Sequence, residues 1–515
     1  MATVALRSTA GKWIMVSTIL ASAMAFIDAT ALNVVLPSLQ KNLKATGADL
    51  FWILNAYLLM LASLILIGGA MGDKLGRKKI FMAGIFIFII GSAACGLSAS
   101  VILLVIFRVV QGIGGALMIP GSLSLISSSI NPEERGKAIG TWSAFTTVVT
   151  MGGPVLGGAL ADAGLWRYIF FINVPIGVAA LLMLAFKVKE IKDEDNKAGL
   201  DFPGAITIAL GLALITFGFL RIPAVGLHHI QAYGSLAAGI IFLIIFILIE
   251  VKSANPMMPL TLFKNTMFSG ANLLTFFLYA GLGAGMLFLS LNLVQVQGYS
   301  QLQSGLTFLP FTVLMVTIAR FAGSLADKHG PRLFLIAGPA IAGSGLLILS
   351  FIKQTTGPSA YWSTFFPGVL VLGLGMSFTV APLTAAVMGS VSDHFSGTAS
   401  GINNAMTRIA SVFANAIFGA LAVLFFSGAL QKQISTMPLN AKDRQDVMQQ
   451  ATDLGNAKVP ATINAANKPV IEKAYHTGFI SAYSNIMRIS AALGFLGALM
   501  ALIFIRNKTL SPPGR

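Results

Sequence analysis

Apolar runs near 20 residues recur from one end of the chain to the other, separated by short polar connections. A run of that length crosses a hydrocarbon core as one helix. The pattern predicts fourteen such spans, at roughly 13–37, 51–71, 80–98, 101–126, 137–160, 168–186, 203–220, 233–251, 267–290, 304–325, 332–351, 361–386, 396–427 and 478–505. The expected fold class is an all-α polytopic membrane protein. The first run follows a short tail with Arg7 and Lys12 and is itself long enough to span, so it reads as a retained helix rather than a cleaved signal.

Two of the connections echo each other. Gly69–Phe81, after the second span, reads Gly-Ala-Met-Gly-Asp-Lys-Leu-Gly-Arg-Lys-Lys-Ile-Phe. Gly323–Arg332, after the tenth, reads Gly-Ser-Leu-Ala-Asp-Lys-His-Gly-Pro-Arg. Asp73 aligns with Asp327, Lys74 with Lys328 and Gly76 with Gly330. The chain therefore divides into an N-terminal six-helix bundle (1–190), a linker with two inserted helices (191–264) and a C-terminal six-helix bundle (265–515). Two related bundles around a central cavity are the plan of an alternating-access transporter.

Lys and Arg orient the spans. They crowd the connections on the side of both termini: Arg7 and Lys12, Lys74 to Lys79, Arg135 and Lys137, Lys187 to Lys197, Lys328 and Arg332, Arg506 and Lys508. The short connections on the other side hold few, such as Lys41, Lys44, Arg167, Arg221 and Lys353. This places both termini in the cytoplasm, in the inner membrane of the cell. The outer segment 428–477, about 50 residues, is long for a connection without a role. It reads as a solvated loop, a cap over the outer mouth or a docking element. Asn440 is placed to cap a helix running through Asp453, and Pro469 to start one continuing into the last span.

Composition agrees with this layout. The chain is 56% hydrophobic and 10% charged, against about 25% charge in soluble domains. The formal charge of +16 follows from topology and gives no reason to expect nucleic acid. Cys95 is the single cysteine and can form no internal disulfide. The five histidines fall in loops or at span ends, without a metal set or a nucleophile–base pair, so neither an enzyme nor a bound cofactor is expected.

An ionisable residue inside a span marks function by default. Asp28 is the only acid well inside an apolar run, and Arg108, Arg320, Arg408 and Arg488 are the embedded cations. At ~1.5 Å per residue, Asp28 lies ~22 Å from the inner boundary and Arg108 ~10 Å below the outer one of a ~30 Å core. They share a depth, and form either a fixed packing pair between the first and fourth spans or a titrating site. Arg108, Gln111 and Gly115 share one helix face, and Gly112, Gly114 and Gly115 admit a close neighbour. The fifth span carries Gly152-Gly153-Pro154-Val155-Leu156-Gly157-Gly158, where Gly153, Pro154, Gly157 and Gly158 permit close contact and bending. In the turn Gly69–Phe81, Asp73 can accept from amides at a helix N-terminus, while Arg77, Lys78 and Lys79 face the anionic leaflet. With Gly69, Gly76, Asp327, Gly330 and Arg332 these residues form a candidate gate. Soft and aromatic linings suit varied apolar ligands. The candidate cavity set is Phe26, Asn33, Asn55, Gln111, Trp142, Phe145, Phe276, Tyr279, Phe308 and Arg408.

Together these stretches resemble the major facilitator superfamily, and within it the fourteen-span drug:proton antiporters. Gly69–Phe81 is similar to the superfamily's signature after span two. Arg108 with Gln111 and Gly112 is similar to the span-four signature associated with proton coupling. Gly153-Pro154 with Gly157-Gly158 resembles the span-five signature of antiporters. Asp28-Ala-Thr-Ala-Leu-Asn33 with Pro37 resembles the span-one motif, and Trp166–Gly177 a family segment entering span six. The resemblance implies export of amphipathic compounds driven by a proton gradient. Protons, small substrates and membrane lipids are the expected partners, and whether the working unit is a monomer is left open. The partner of the outer segment is left open. One departure bears on substrate: the last six spans hold no acid in mid-membrane, and span thirteen carries Arg408. An anionic, zwitterionic or lipid-like amphiphile is therefore the alternative cargo. A membrane enzyme or a channel is not expected.

Overall fold

The computed structural model describes residues 4–188, 201–391 and 396–505. Thirteen of its helices are long and apolar enough to cross a membrane. The first half holds α1 (Thr9–Leu43), α2 (Gly47–Leu75), α3 (Arg77–Leu97), α4 (Val101–Ser129), α5 (Pro132–Asp162), the short α6 (Tyr168–Phe171) and α7 (Asn173–Lys187). The insert is α8 (Phe202–Val225) and α9 (Ile230–Lys252). The second half holds α10 (Thr266–Gln295), α11 (Gln301–Thr307), α12 (Leu309–His329), α13 (Arg332–Leu349), α14 (Phe365–Gly389), α15 (Ser396–Ile434), α16 (Ala441–Gln449) and α17 (Lys468–Phe504). α5 is the fourteenth crossing helix, with a shorter apolar stretch at Val148–Asp162.

Local chemistry sets the ends. Ser8, Ser100, Asp201 and Asn265 each accept a backbone N–H at the start of their helices. Thr46 with Asp49 and Ser300 with Gln303 form reciprocal capping boxes. The face carrying residues 435–467 is called here the loop face, and the opposite one the turn face. On the turn face the extreme N-terminus is lashed down: Val4 N–H donates to Ser129 O at 2.8 Å and Leu6 N–H to Glu134 Oε2 at 2.7 Å.

The repeat seen in the turns extends to packing. α2 lies on α4 as α12 lies on α14, and α3 on α4 as α13 on α14. α1 packs against α5 and α7 as α10 packs against α15 and α17. Gly76 and Gly330 both stand at positive φ, 112° and 84°, between the paired helices. The basic residue two positions beyond each glycine turns inward. Lys78 Nζ donates to Val188 O at 2.7 Å, and Arg332 Nη2 donates to Leu502 O at 3.3 Å. Each satisfies a carbonyl at the C-terminal end of its half's last helix, where cations are favoured. The expectation that Lys78 faces the leaflet is therefore corrected. The side chains of Asp73, Asp327 and Arg320 lie outside the described set.

The outer segment is not a solvated loop. α15 extends to Ile434 and α17 begins at Lys468, with Pro469 in its first turn, so the true connection is shorter than the apolar pattern suggests. Asn440 caps α16 through Asp443 N–H at 2.7 Å, but α16 ends at Gln449 and a 3-10 turn (Gln450–Asn456) follows. Val447, Leu454, Ile463 and Ile471 are buried in the main core. The hydropathy of the segment is mixed because it covers a protein surface rather than crossing lipid.

The two glycines at positive φ set a test. Gly76→Ala and Gly330→Ala should each lower the melting temperature of the detergent-purified protein, since such backbone costs a side chain roughly 1–3 kcal/mol. Unchanged melting of both variants would contradict the assignment.

Candidate functional site

The site forms where α1, α2 and α4 meet. Arg108 and Gln111, three residues apart on α4, project from one face toward Asp28 on α1. Arg108 Nη1 lies 2.5 Å from Asp28 Oδ2 and 2.8 Å from Gln111 Oε1. Gln111 Nε2 donates to Asp28 Oδ1 at 2.9 Å. Arg108 Nε donates to Ile53 O on α2 at 3.2 Å, and its guanidinium lies over the Tyr57 ring, 4.4 Å from the centroid. Asp28 and Gln111 are 0% and Arg108 1% exposed. Both carboxylate oxygens are thus bonded, one charge-assisted. This is the one ion pair among the described residues. A buried pair is costly to break from one side, about 3–5 kcal/mol, because the survivor is left charged and alone. It can, however, exchange one partner for another. If Asp28 takes a proton, Arg108 retains Gln111 Oε1, Ile53 O and the Tyr57 face.

Tyr57 of α2 completes this set, with its ring under the guanidinium. Tyr57 was absent from the residues selected from sequence. An aromatic side chain in a span reads as packing until the cation over it is seen.

The other selected residues fall in three places. Phe26 packs edge-on against Trp142, whose Nε1 donates to Ser22 Oγ at 3.0 Å, and Phe276 packs against Phe413 of α15. Asn55 and Asn33 sit at the seam between the halves: Asn415 Nδ2 donates to Asn55 Oδ1 at 3.2 Å, and Ser290 Oγ to Asn33 O at 3.3 Å. Phe308 is buried at the α11–α12 break, whereas Phe145 is 56% exposed. α5 runs unbroken through Pro154. Its Gly153 and Gly157 face Thr30 and Ala31 of α1, and Gly158 faces the backbone of Gln301, each too close for a Cβ.

The seam is closed on the loop face. Asp162, at the end of α5, accepts the first two N–H groups of α11, from Gln301 at 2.8 Å and Leu302 at 2.9 Å. The Gln301 side chain bonds Ser38, Gln295 Nε2 donates to Gln40 Oε1 at 2.9 Å, and Gln40 Nε2 donates to Asp453 O at 3.2 Å. Burial and then Asp49 push the Asp453 carboxyl above its ordinary range, against the pull of Lys458. Among the described residues, every hydrogen bond between the halves lies in the loop-face half of the seam. Toward the turn face, Phe145 and Val148 of α5 and Val316, Phe321 and Leu325 of α12 are exposed.

Two pseudo-equivalent helical bundles, a buried ion pair beside their seam and closure at one face define a membrane transporter of two-bundle design. The Major Facilitator Superfamily profile matches residues 18–415, and the chain belongs to that superfamily. It is 28% identical over 481 residues to the tetracenomycin C resistance and export protein of Streptomyces glaucescens, covering 93% of this chain and 89% of that one. It is 30% identical over 415 residues to the multidrug resistance protein Stp of Mycobacterium tuberculosis, covering 80% and 76%. Multidrug resistance protein 3 of Bacillus subtilis is 27% identical over 508 residues, covering 96% and 97%. The fold is similar to an inward-facing, unoccupied bacterial homolog of the human lysosomal transporter Spinster, with TM-score 0.65, 20% identity and 96% and 98% coverage. It is also similar to a D-xylose-proton symporter, with TM-score 0.60, 15% identity and the same coverage.

Gln111 is the simplest point at which to perturb the site. Gln111→Leu removes two hydrogen bonds to charged groups, one to Asp28 and one from Arg108, each about 1.5–3 kcal/mol. It should lower the melting temperature measurably while leaving Asp28 and Arg108 paired. A melting curve superimposable on the wild type would show that Gln111 does not support the pair.

Proposed function

We propose that the protein exports small amphipathic, drug-like compounds across the cytoplasmic membrane in exchange for protons, by alternating access. The observation that carries this reading is one buried acid, Asp28, held by one buried arginine and one amide at the junction of three helices beside the seam. In this reading Asp28 takes a proton or a cationic substrate group in turn, and Arg108 is the internal cation that replaces either. Competition for a single site yields exchange. A potential of 100 mV supplies ~2.3 kcal/mol per charge moved, roughly fifty-fold accumulation. The relatives bearing resistance and export names support this cargo. The crowding of Lys and Arg supports a cytoplasmic turn face with both termini inside. Closure on the loop face then matches a state open to the cytoplasm. Gly69, Asp73, Gly76 and Arg77, with Asp327, Gly330 and Arg332, act as paired inner hinges, and the packed segment 435–467 acts as an outer cap. The working unit is a monomer that needs no cofactor beyond the proton gradient.

Efflux of several dyes from proteoliposomes with an imposed pH gradient tests both parts. Transport should stop when the gradient is collapsed, and Asp28→Asn should abolish coupling. Asp73→Asn should slow turnover with little change in KM. Gradient-independent efflux by the wild type, or a coupled Asp28→Asn protein, would sink the proposal.

A second cargo is favoured by Arg408, a partly buried cation near Tyr57 and Tyr279, in a half whose spans hold no mid-membrane acid. An anionic or zwitterionic amphiphile would meet it. Arg408→Ala should then abolish efflux of anionic dyes and spare cationic ones, and equal loss of both would remove this reading.

A further inference from the structure

The inserted hairpin holds a second pair of buried acids, remote from Asp28. Asp201 caps the start of α8 and Glu250 stands in the last turn of α9, so the antiparallel hairpin brings both to the turn face. They are 7% and 3% exposed. Each uses one oxygen on a backbone N–H: Gly204 donates to Asp201 Oδ1 at 2.8 Å and Met258 to Glu250 Oε2 at 2.9 Å. Each has a second oxygen, Asp201 Oδ2 and Glu250 Oε1, that is buried with no donor among the described residues. The two carboxyl groups lie within hydrogen-bonding reach of each other.

α2 and α15 present Leu59, Ala62 and Val412 to the hairpin. Among the described residues, the charged side chains at the site are Asp201 from α8 and Glu250 and Lys252 from α9. Lys252 is exposed and makes no ion pair with either acid. A cavity of ≈ 600 Å³ opens beside Asp201, lined also by Lys252, Ser253 and Asn255.

Two buried carboxylates in mutual contact disfavour ionising together, because each charge raises the cost of the other. Two oxygens that need a donor and face each other are both satisfied by one hydrogen. We propose that Asp201 and Glu250 bind a single proton between them, a proton site separate from the transport site, and that this proton clasps the start of α8 to the end of α9. The clasp also fixes the connections that the hairpin makes. Asp201 directly follows the linker from the first half, and Glu250 holds Met258 on the way to α10. One proton therefore ties the two joins between hairpin and bundles. The folded pair keeps a proton that separate carboxyls in the unfolded chain release, so its contribution is full at low pH and is lost as pH rises. Deprotonation leaves two like charges in contact, which opens the clasp.

Purified full-length protein tests this without any transport assay. Infrared difference spectra between about pH 5 and pH 9, above ordinary carboxyl values and across raised ones, should show a protonated-carboxyl band. In an Asp28→Asn background the band should remain, and it should vanish when either Asp201→Asn or Glu250→Gln is added. An amide can donate to the remaining carboxylate, so Glu250→Gln should fold and keep a clasp that no longer responds to pH. Its melting temperature should equal or fall below the wild type at low pH and exceed it at high pH. A band retained in both variants, or parallel melting curves across the pH range, would overturn the proposal. So would stabilisation by Mg²⁺ or Ca²⁺ at high pH in the wild type but in neither variant, which would make the pair a divalent-cation site.

Discussion

In hydrocarbon no water can satisfy a polar group, so each one must find its partner within the protein. Asp28 is the clearest case. Its carboxylate lies in a helix otherwise committed to apolar contact, and it persists there because Arg108 and Gln111 occupy both its oxygens. The same requirement fixes Arg108, whose remaining donors reach Ile53 O and Gln111 Oε1. Three helices are held in register by one acid's need for partners. A group whose partners are internal and few is also one whose loss or gain of a proton must be felt by all of them.

The duplicated architecture distributes that constraint. Each half repeats the same helix contacts and the same glycine at positive φ, and in each a basic side chain caps the last helix. The chemistry is not repeated. The first half carries the acid and its arginine, whereas in the second Asn403 of α15 bonds Asn272 and Thr275 of α10. The frame is symmetric and the site asymmetric: among the described residues only the first half holds a charge pair.

Closure on the loop face combines polar contacts with an apolar core shared by both halves, in which Phe51 packs on Phe288. Asp162 receives two amides from the opposing half, as an anion does at a helix N-terminus. Gly158 and Gly305 let the backbones of α5 and α11 approach beyond what any side chain allows. The packed segment between α15 and α17 lies over the same face and reaches Gln40 of the first half.

By itself the sequence determined the fourteen crossings, the two related halves and the inserted pair, because a ~20-residue apolar run has no stable alternative in lipid. It also singled out Asp28, Arg108 and Gln111, since charge inside an apolar run is rare. What it left open depends on which surfaces meet. The apolar pattern cannot distinguish lipid from protein as a neighbour. It therefore did not show that Tyr57 carries a cation on its face, or that the outer segment is packed rather than solvated. Asp162 read as an ordinary span-end residue until α11 was placed against it. Asp201 and Glu250, almost fifty residues apart, became a pair only when the hairpin closed. Tertiary structure decided these points because burial and hydrogen-bond pairing are properties of two segments together, and no single stretch of chain contains them.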